Sequence, residues 1–213
     1  MGRLLLVIAS NGLLRVTGGA SSVLVALYIA ELANGGRPFG AGLVSTLAAD
    51  LFGAELLGAV PLGMLVDAVP TRTLMTSGAS LAGAATWLLG QTQGVSVFVL
   101  SRTLEGLAAA AVVPALLAHL TDATAAQPRS RARAMSYFGL SLLAGLALGG
   151  LLGTQLWTRY HLGAFTALAV IYGAAAVLVF TGVAGGIAQR PTDPWSGLRR
   201  ALGISELRRL API

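Results

Sequence analysis

Five ionisable side chains fall inside long apolar stretches of this 213-residue chain: Arg15, Asp50, Glu55, Arg102 and Glu105. A charge facing lipid at the centre of a membrane costs ~2.5–3.5 kcal/mol even on insertion scales, so five together would cost on the order of 10 kcal/mol. They are expected to face one another or a wet interior. Arg102 and Glu105 stand three residues apart, which puts both on one helix face and within reach of an ion pair. Asn11 and Arg15 are four apart and place an amide and a guanidinium on one face. Asp50 and Glu55 are five apart, about 140° around a helix, and are expected to serve different surroundings. Glu55, toward one end of its stretch, is expected in a structural pairing, whereas Arg102 is read as a functional group. Two cations against three carboxylates leave a formal −1 in the apolar region, and burial favours the neutral form of an acid. One acid carrying a proton would suit proton coupling or a purely structural role, and both stay open.

The elements that must position these groups are helices in lipid. The chain is 55% hydrophobic and 10% charged, with a mean hydropathy of +0.79, too little polar skin for any water-soluble fold. A span needs roughly 20 apolar residues, and six such stretches occur, at about 4–30, 41–66, 73–90, 96–120, 134–157 and 162–183. The opening apolar run continues to Ala30, too long for the core of a secretory signal, and Leu6 stands where myristoylation needs Ser or Thr. The chain has no cysteine and two histidines, His119 and His161, so neither a disulfide framework nor a metal centre is expected.

All 14 basic residues are arginine. They are dispersed between the apolar stretches rather than gathered in one patch, which argues against nucleic-acid binding and for a record of topology. With the N-terminus inside, ten fall on the cytoplasmic side, Arg37 and Arg159 fall outside, and Arg15 and Arg102 lie within spans. Both termini are then expected in the cytoplasm of a cell, the chain being a multi-pass protein of its inner or plasma membrane. Residues 1–184 form the expected six-span bundle. Residues 185–213 turn polar, and two arginine pairs with Trp195, Leu198 and Leu202 read equally as a helix lying on the inner leaflet or as a solvated linker.

Three segments resemble motifs of the major facilitator superfamily, in family order. GMLVDAVPTR, between the second and third stretches, resembles the family's loop pattern: Gly63, Leu65, Asp67 and Arg72 match, whereas Ala68, Pro70 and Thr71 depart. RTLEGLAAA in the fourth resembles R-x-x-Q-G, with Arg102 and Gly106 matching and Glu105 replacing the glutamine. SLLAGLALGGLLG in the fifth resembles the glycine-rich antiporter pattern through Gly145, Gly149 and Gly150, with Ser141 and Leu146 in place of its first glycine and its proline. The resemblance implies an all-α membrane protein of six transmembrane helices, one half-bundle of the major facilitator fold. Gly63, Asp67 and Arg72 would form a gating loop, with Gly63 allowing a close helix approach. Gly106, Gly145, Gly149 and Gly150 would pack helices. Asn11, Arg15, Asp50, Glu55, Arg102 and Glu105 would line a substrate or proton pathway.

The implied function is secondary transport of a small solute, with protons as a coupling ion and efflux as one direction. Family members join two six-span halves about a midplane site, so a C-terminal six-span half, or a second copy in a homodimer, is the expected protein partner, and the lipid bilayer the expected surround. No cofactor, metal or catalytic residue is expected. An intramembrane serine protease fails for want of a G-x-S-G pattern, and a non-transporting membrane scaffold or remnant stays open.

Overall fold

The computed structural model describes residues 2–125 and 128–183; the expected tail or linker at 185–213 lies outside the described residues. Among the described residues six α-helices follow one another: α1 (Gly2–Asn34), α2 (Ala41–Leu65), α3 (Thr71–Leu89), α4 (Val95–Ala123), α5 (Pro128–Tyr160) and α6 (Gly163–Gly182). Five of them are long and apolar enough to cross a membrane. The exception is α3, where the sequence suggested a sixth apolar span. Thr71, Arg72, Thr73, Thr76, Ser77, Ser80 and Thr86 dilute its apolar character. Its glycines instead let α3 sit close to its neighbours: a Cβ at Gly78 would lie 2.7 Å from Val112 of α4, and one at Gly83 would lie 3.0 Å from Tyr172 of α6.

The 33-residue helices α1 and α5 are each about 50 Å long at 1.5 Å per residue, well beyond a ~30 Å hydrocarbon core. Helix α5 starts at Pro128, so Arg129, Arg131 and Arg133 form its first turns rather than a separate loop. Proline at a first helical position sacrifices no hydrogen bond, because that N–H has no partner in any helix. At the other end of α5, His161 adopts a left-handed backbone (φ 46°) and turns the chain sharply into α6.

Packing divides the bundle into two pairs. Helix α1 lies along α5, and α2 along α4, while α1 barely touches α2 and α4 barely touches α5. Helices α3 and α6 stand behind, joining α4 to α1 and closing one side. A cluster of Tyr28, Phe98, Trp157 and Phe165, with centroids 5.7–6.4 Å apart, plugs one end between the pairs. Toward the other end Met75, Leu116, Leu120 and Val179 make a second core. Large apolar side chains on the outer surfaces, including Leu56 and Leu57 of α2, Leu143 and Leu151 of α5 and Val170 of α6, remain exposed, a surface suited to lipid or another apolar bundle.

Candidate functional site

The close pairs are made by glycine. Along α1 and α5, Gly19 faces Gly145 and Gly149; a Cβ at Gly149 would lie 2.8 Å from both the Val16 carbonyl and the Gly19 Cα, and one at Gly145 would lie 2.5 Å from the Arg15 Cβ. Along α2 and α4, a Cβ at Gly106 would overlap the Leu51 carbonyl, and one at Gly58 would lie 2.9 Å from Leu107. Two expectations need correction. Gly150 meets nothing within 4 Å, because one residue of helix turns it about 100° from Gly149, and Gly153 continues the contact instead, where a Cβ would lie 2.8 Å from the Ala20 carbonyl. A Cβ at Gly63 would sit at an ordinary 3.9 Å from Pro114, so no close approach there requires glycine.

Between the two pairs lies a cavity of about 210 Å³ bordered by all six helices. Its walls are mostly small or aliphatic: Gly18, Gly78, Ala79, Ala82, Ala108, Ala109, Val112 and Leu142. Its polar groups are Asn11, Arg15 and Ser22 from α1, Glu55 from α2, Glu105 from α4 and Tyr172 from α6. Arg15 is half-buried, with its guanidinium carbon 5.9 Å from the centroid of the Phe138 ring. Glu55 borders the same cavity from α2. Neither Arg15 nor Glu55 makes an ion pair among the described residues. The structural pairing expected for Glu55 is thus corrected: α1 and α2 touch little, and the carboxylate borders the cavity instead. Asn11 donates its side-chain N–H to Ser141 Oγ on α5.

Glu105 is held differently. It pairs with the Arg102 guanidinium one turn earlier on α4, and its other oxygen accepts hydrogen bonds from Ser21 Oγ at 2.8 Å and Thr86 Oγ1 at 2.6 Å. Arg102 also donates to the Ser21 carbonyl at 3.0 Å. Both charged residues are buried, 3% and 6% exposed, and their bonds tie α1, α3 and α4 together. Sequence reading found the pair but not Ser21 or Thr86, because hydroxyls are common in these helices and the two lie on other elements.

Asp50 leaves the group assembled by sequence. It does not border the cavity; it accepts from Thr103 Oγ1 at 3.0 Å on the interface between α2 and α4. In the link after α2, Val66 and Asp67 donate their N–H groups to the Gly63 and Met64 carbonyls at 3.2 and 3.3 Å and tighten the last turn. Arg72, at the start of α3, lies over the Phe180 ring of α6 with its guanidinium carbon 3.4 Å from the centroid. His119 lies within the last turns of α4, and His161 is exposed beside Glu31 at 3.9 Å. No cluster of three or more His, Asp or Glu residues suited to a metal occurs among the described residues.

Apolar helices long enough to cross a membrane, packed around a cavity bordered by charged groups, are the architecture of a multi-pass membrane protein. A model of the Major Facilitator Superfamily matches residues 5–210, and the chain belongs to that family, one of transporters rather than enzymes. Among solved structures it is similar to the peptide transporter POT in complex with sulfate, with a TM-score of 0.75 at 20% identity over 98% of this chain. It is also similar to a point mutant of the peptide transporter POT in complex with alafosfalin, with a TM-score of 0.74 at 20% identity over 97% of this chain. In each case the chain spans 44% of the length of the solved protein. No relative is found among curated proteins.

Proposed function

We propose that this chain is one six-span half of a secondary transporter that carries a small solute across a cell membrane, with both termini in the cytoplasm. The observation that carries this reading is the cavity between the α1/α5 and α2/α4 pairs. Its charged groups, in otherwise apolar helices, cost folding free energy unless water or a solute solvates them. Alternating access needs two bundles that rock about a shared midplane site, so a complementary six-span bundle is the partner in this reading, docked on the exposed apolar faces of α2 and α5. A proton-coupled cycle would run through Glu105, whose carboxylate bonds to Ser21, Thr86 and Arg102 and so ties α1, α3 and α4 together. In the complete transporter, Glu105→Gln should weaken proton-driven transport; full activity with an unchanged pH dependence would remove protons from the reading.

The absence of cysteine from the chain allows a direct test of the pathway. In proteoliposomes, Ala109→Cys on the cavity wall should react with a membrane-impermeant maleimide, whereas Val177→Cys on the exposed face of α6 should not. Protection of Ala109→Cys from the reagent on both sides of the membrane would overturn the reading.

A further inference from the structure

Three charged residues border the cavity, and the carboxylate of one, Glu105, is already paired with Arg102; the other two, Arg15 and Glu55, are opposite in sign, stand on different helices and form no ion pair with each other. Arg15 comes from α1 and Glu55 from α2, two helices that barely touch, and neither is within ion-pair distance of any described partner. Arg102, by contrast, spends its donors on Glu105 and on both oxygens of Ser21, so it offers an incoming solute little.

A purely anionic occupant would meet Arg15 in view of the Glu55 carboxylate, and a purely cationic one would meet Glu55 in view of the guanidinium. Among apolar walls the effective dielectric is below that of bulk water, and either mismatch is strengthened. An occupant with an anionic group at one end and an ammonium group at the other satisfies both. The volume agrees with a small molecule of this kind: about 210 Å³ is room for roughly seven waters at ~30 Å³ each. The rest of the wall, including Ala82, Val112 and Leu142, offers apolar contact to a hydrocarbon side chain between the two charges.

We infer that the cavity binds a small zwitterionic solute of amino-acid size, its carboxylate on Arg15 and its ammonium on Glu55. This rests on the proposed transport pathway and assigns that pathway a substrate class.

The test uses the full chain in lipid nanodiscs, carrying Ala109→Cys, and follows maleimide labelling in the presence of leucine, N-acetylleucine or leucinamide. Leucine should slow labelling, and each capped form should require a ~10–100-fold higher concentration, the range expected for losing one hydrogen-bonded charge. In the same background, Arg15→Gln should abolish the discrimination against leucinamide, and Glu55→Gln the discrimination against N-acetylleucine. Arg15→Lys and Glu55→Asp should each retain it, which separates recognition of charge from a failure to fold. Equal protection by all three probes, or protection by N-acetylleucine as good as by leucine, would overturn the zwitterion. Labelling that none of the probes slows would overturn it while leaving the pathway standing, and an unlabelled Ala109→Cys would overturn both.

Discussion

Arg102 with Glu105 and Arg15 with Glu55 are both guanidinium–carboxylate combinations in apolar helices, and they meet the cost of burial in opposite ways. The first is built on one helix: the three-residue spacing fixes the distance, Ser21 and Thr86 supply further donors, and the pair is nearly sealed. The second is split between α1 and α2, half-buried, and separated by the cavity. A pair held by helix geometry can close on itself without waiting for tertiary structure. A pair split between weakly touching helices keeps its charges available to a visitor, so the same residue types give a clamp in one place and an open site in the other.

The largest expected effect comes from breaking the clamp on one side. Glu105→Leu leaves the Arg102 guanidinium buried without its counter-charge, and a lone partner of a buried pair costs ~3–5 kcal/mol. Arg102→Leu should cost a similar amount, whereas the double variant, which removes both charges, should recover most of the loss. Unfolding of the purified protein in detergent or lipid measures this. A double variant as unstable as the two single variants added together would show that Ser21 and Thr86 depend on the pair more than the comparison allows.

A smaller effect is expected where the α1/α5 pair carries Arg15. Gly149→Leu would force side-chain atoms into the Val16 and Gly19 backbone, for which there is no room, and overpacking of this kind costs ~1–3 kcal/mol. Gly150→Leu should be close to neutral, since nothing lies within 4 Å of a Cβ there. Equal losses at the two positions in the unfolding measurement would contradict the register of the helix pair. Smaller again is Phe180→Leu, which removes the ring beneath Arg72 and should cost ~0.5–1 kcal/mol.

The helices and the charged pair on α4 were legible because both are local: twenty apolar residues make a span, and residues three apart share a face. What sequence could not give was the partner across a gap. The five-residue spacing of Asp50 and Glu55 pointed to different surroundings without saying which: Asp50 meets Thr103 and Glu55 borders the cavity with Arg15, as the rotation and separation of α2 decide. The glycines show the same division. The antiporter-like pattern pointed to Gly145, Gly149 and Gly150, but contact follows a four-residue spacing through Gly145, Gly149 and Gly153, and Gly19, Gly58 and Gly78 are recognisable as contacts only once the facing helix is known. Helix α3 was expected to be apolar like its neighbours, and its hydroxyl groups and small residues serve contact with α4 and α6 instead.

The open pair gives a small expected change in stability, and that is its sharpest contrast with the clamp. Arg15→Gln and Glu55→Gln keep most of the side-chain volume and remove a charge that has no ion-pair partner to strand, so each should shift the unfolding free energy by less than ~1 kcal/mol, in the range of substitutions at wet surfaces. Glu55→Gln should be the milder, because it leaves the guanidinium over the Phe138 ring undisturbed. If instead either variant lost the ~3–5 kcal/mol expected for one half of a buried pair, Arg15 and Glu55 would have to be joined in the membrane, and the cavity between them would be a closed gate rather than a binding site.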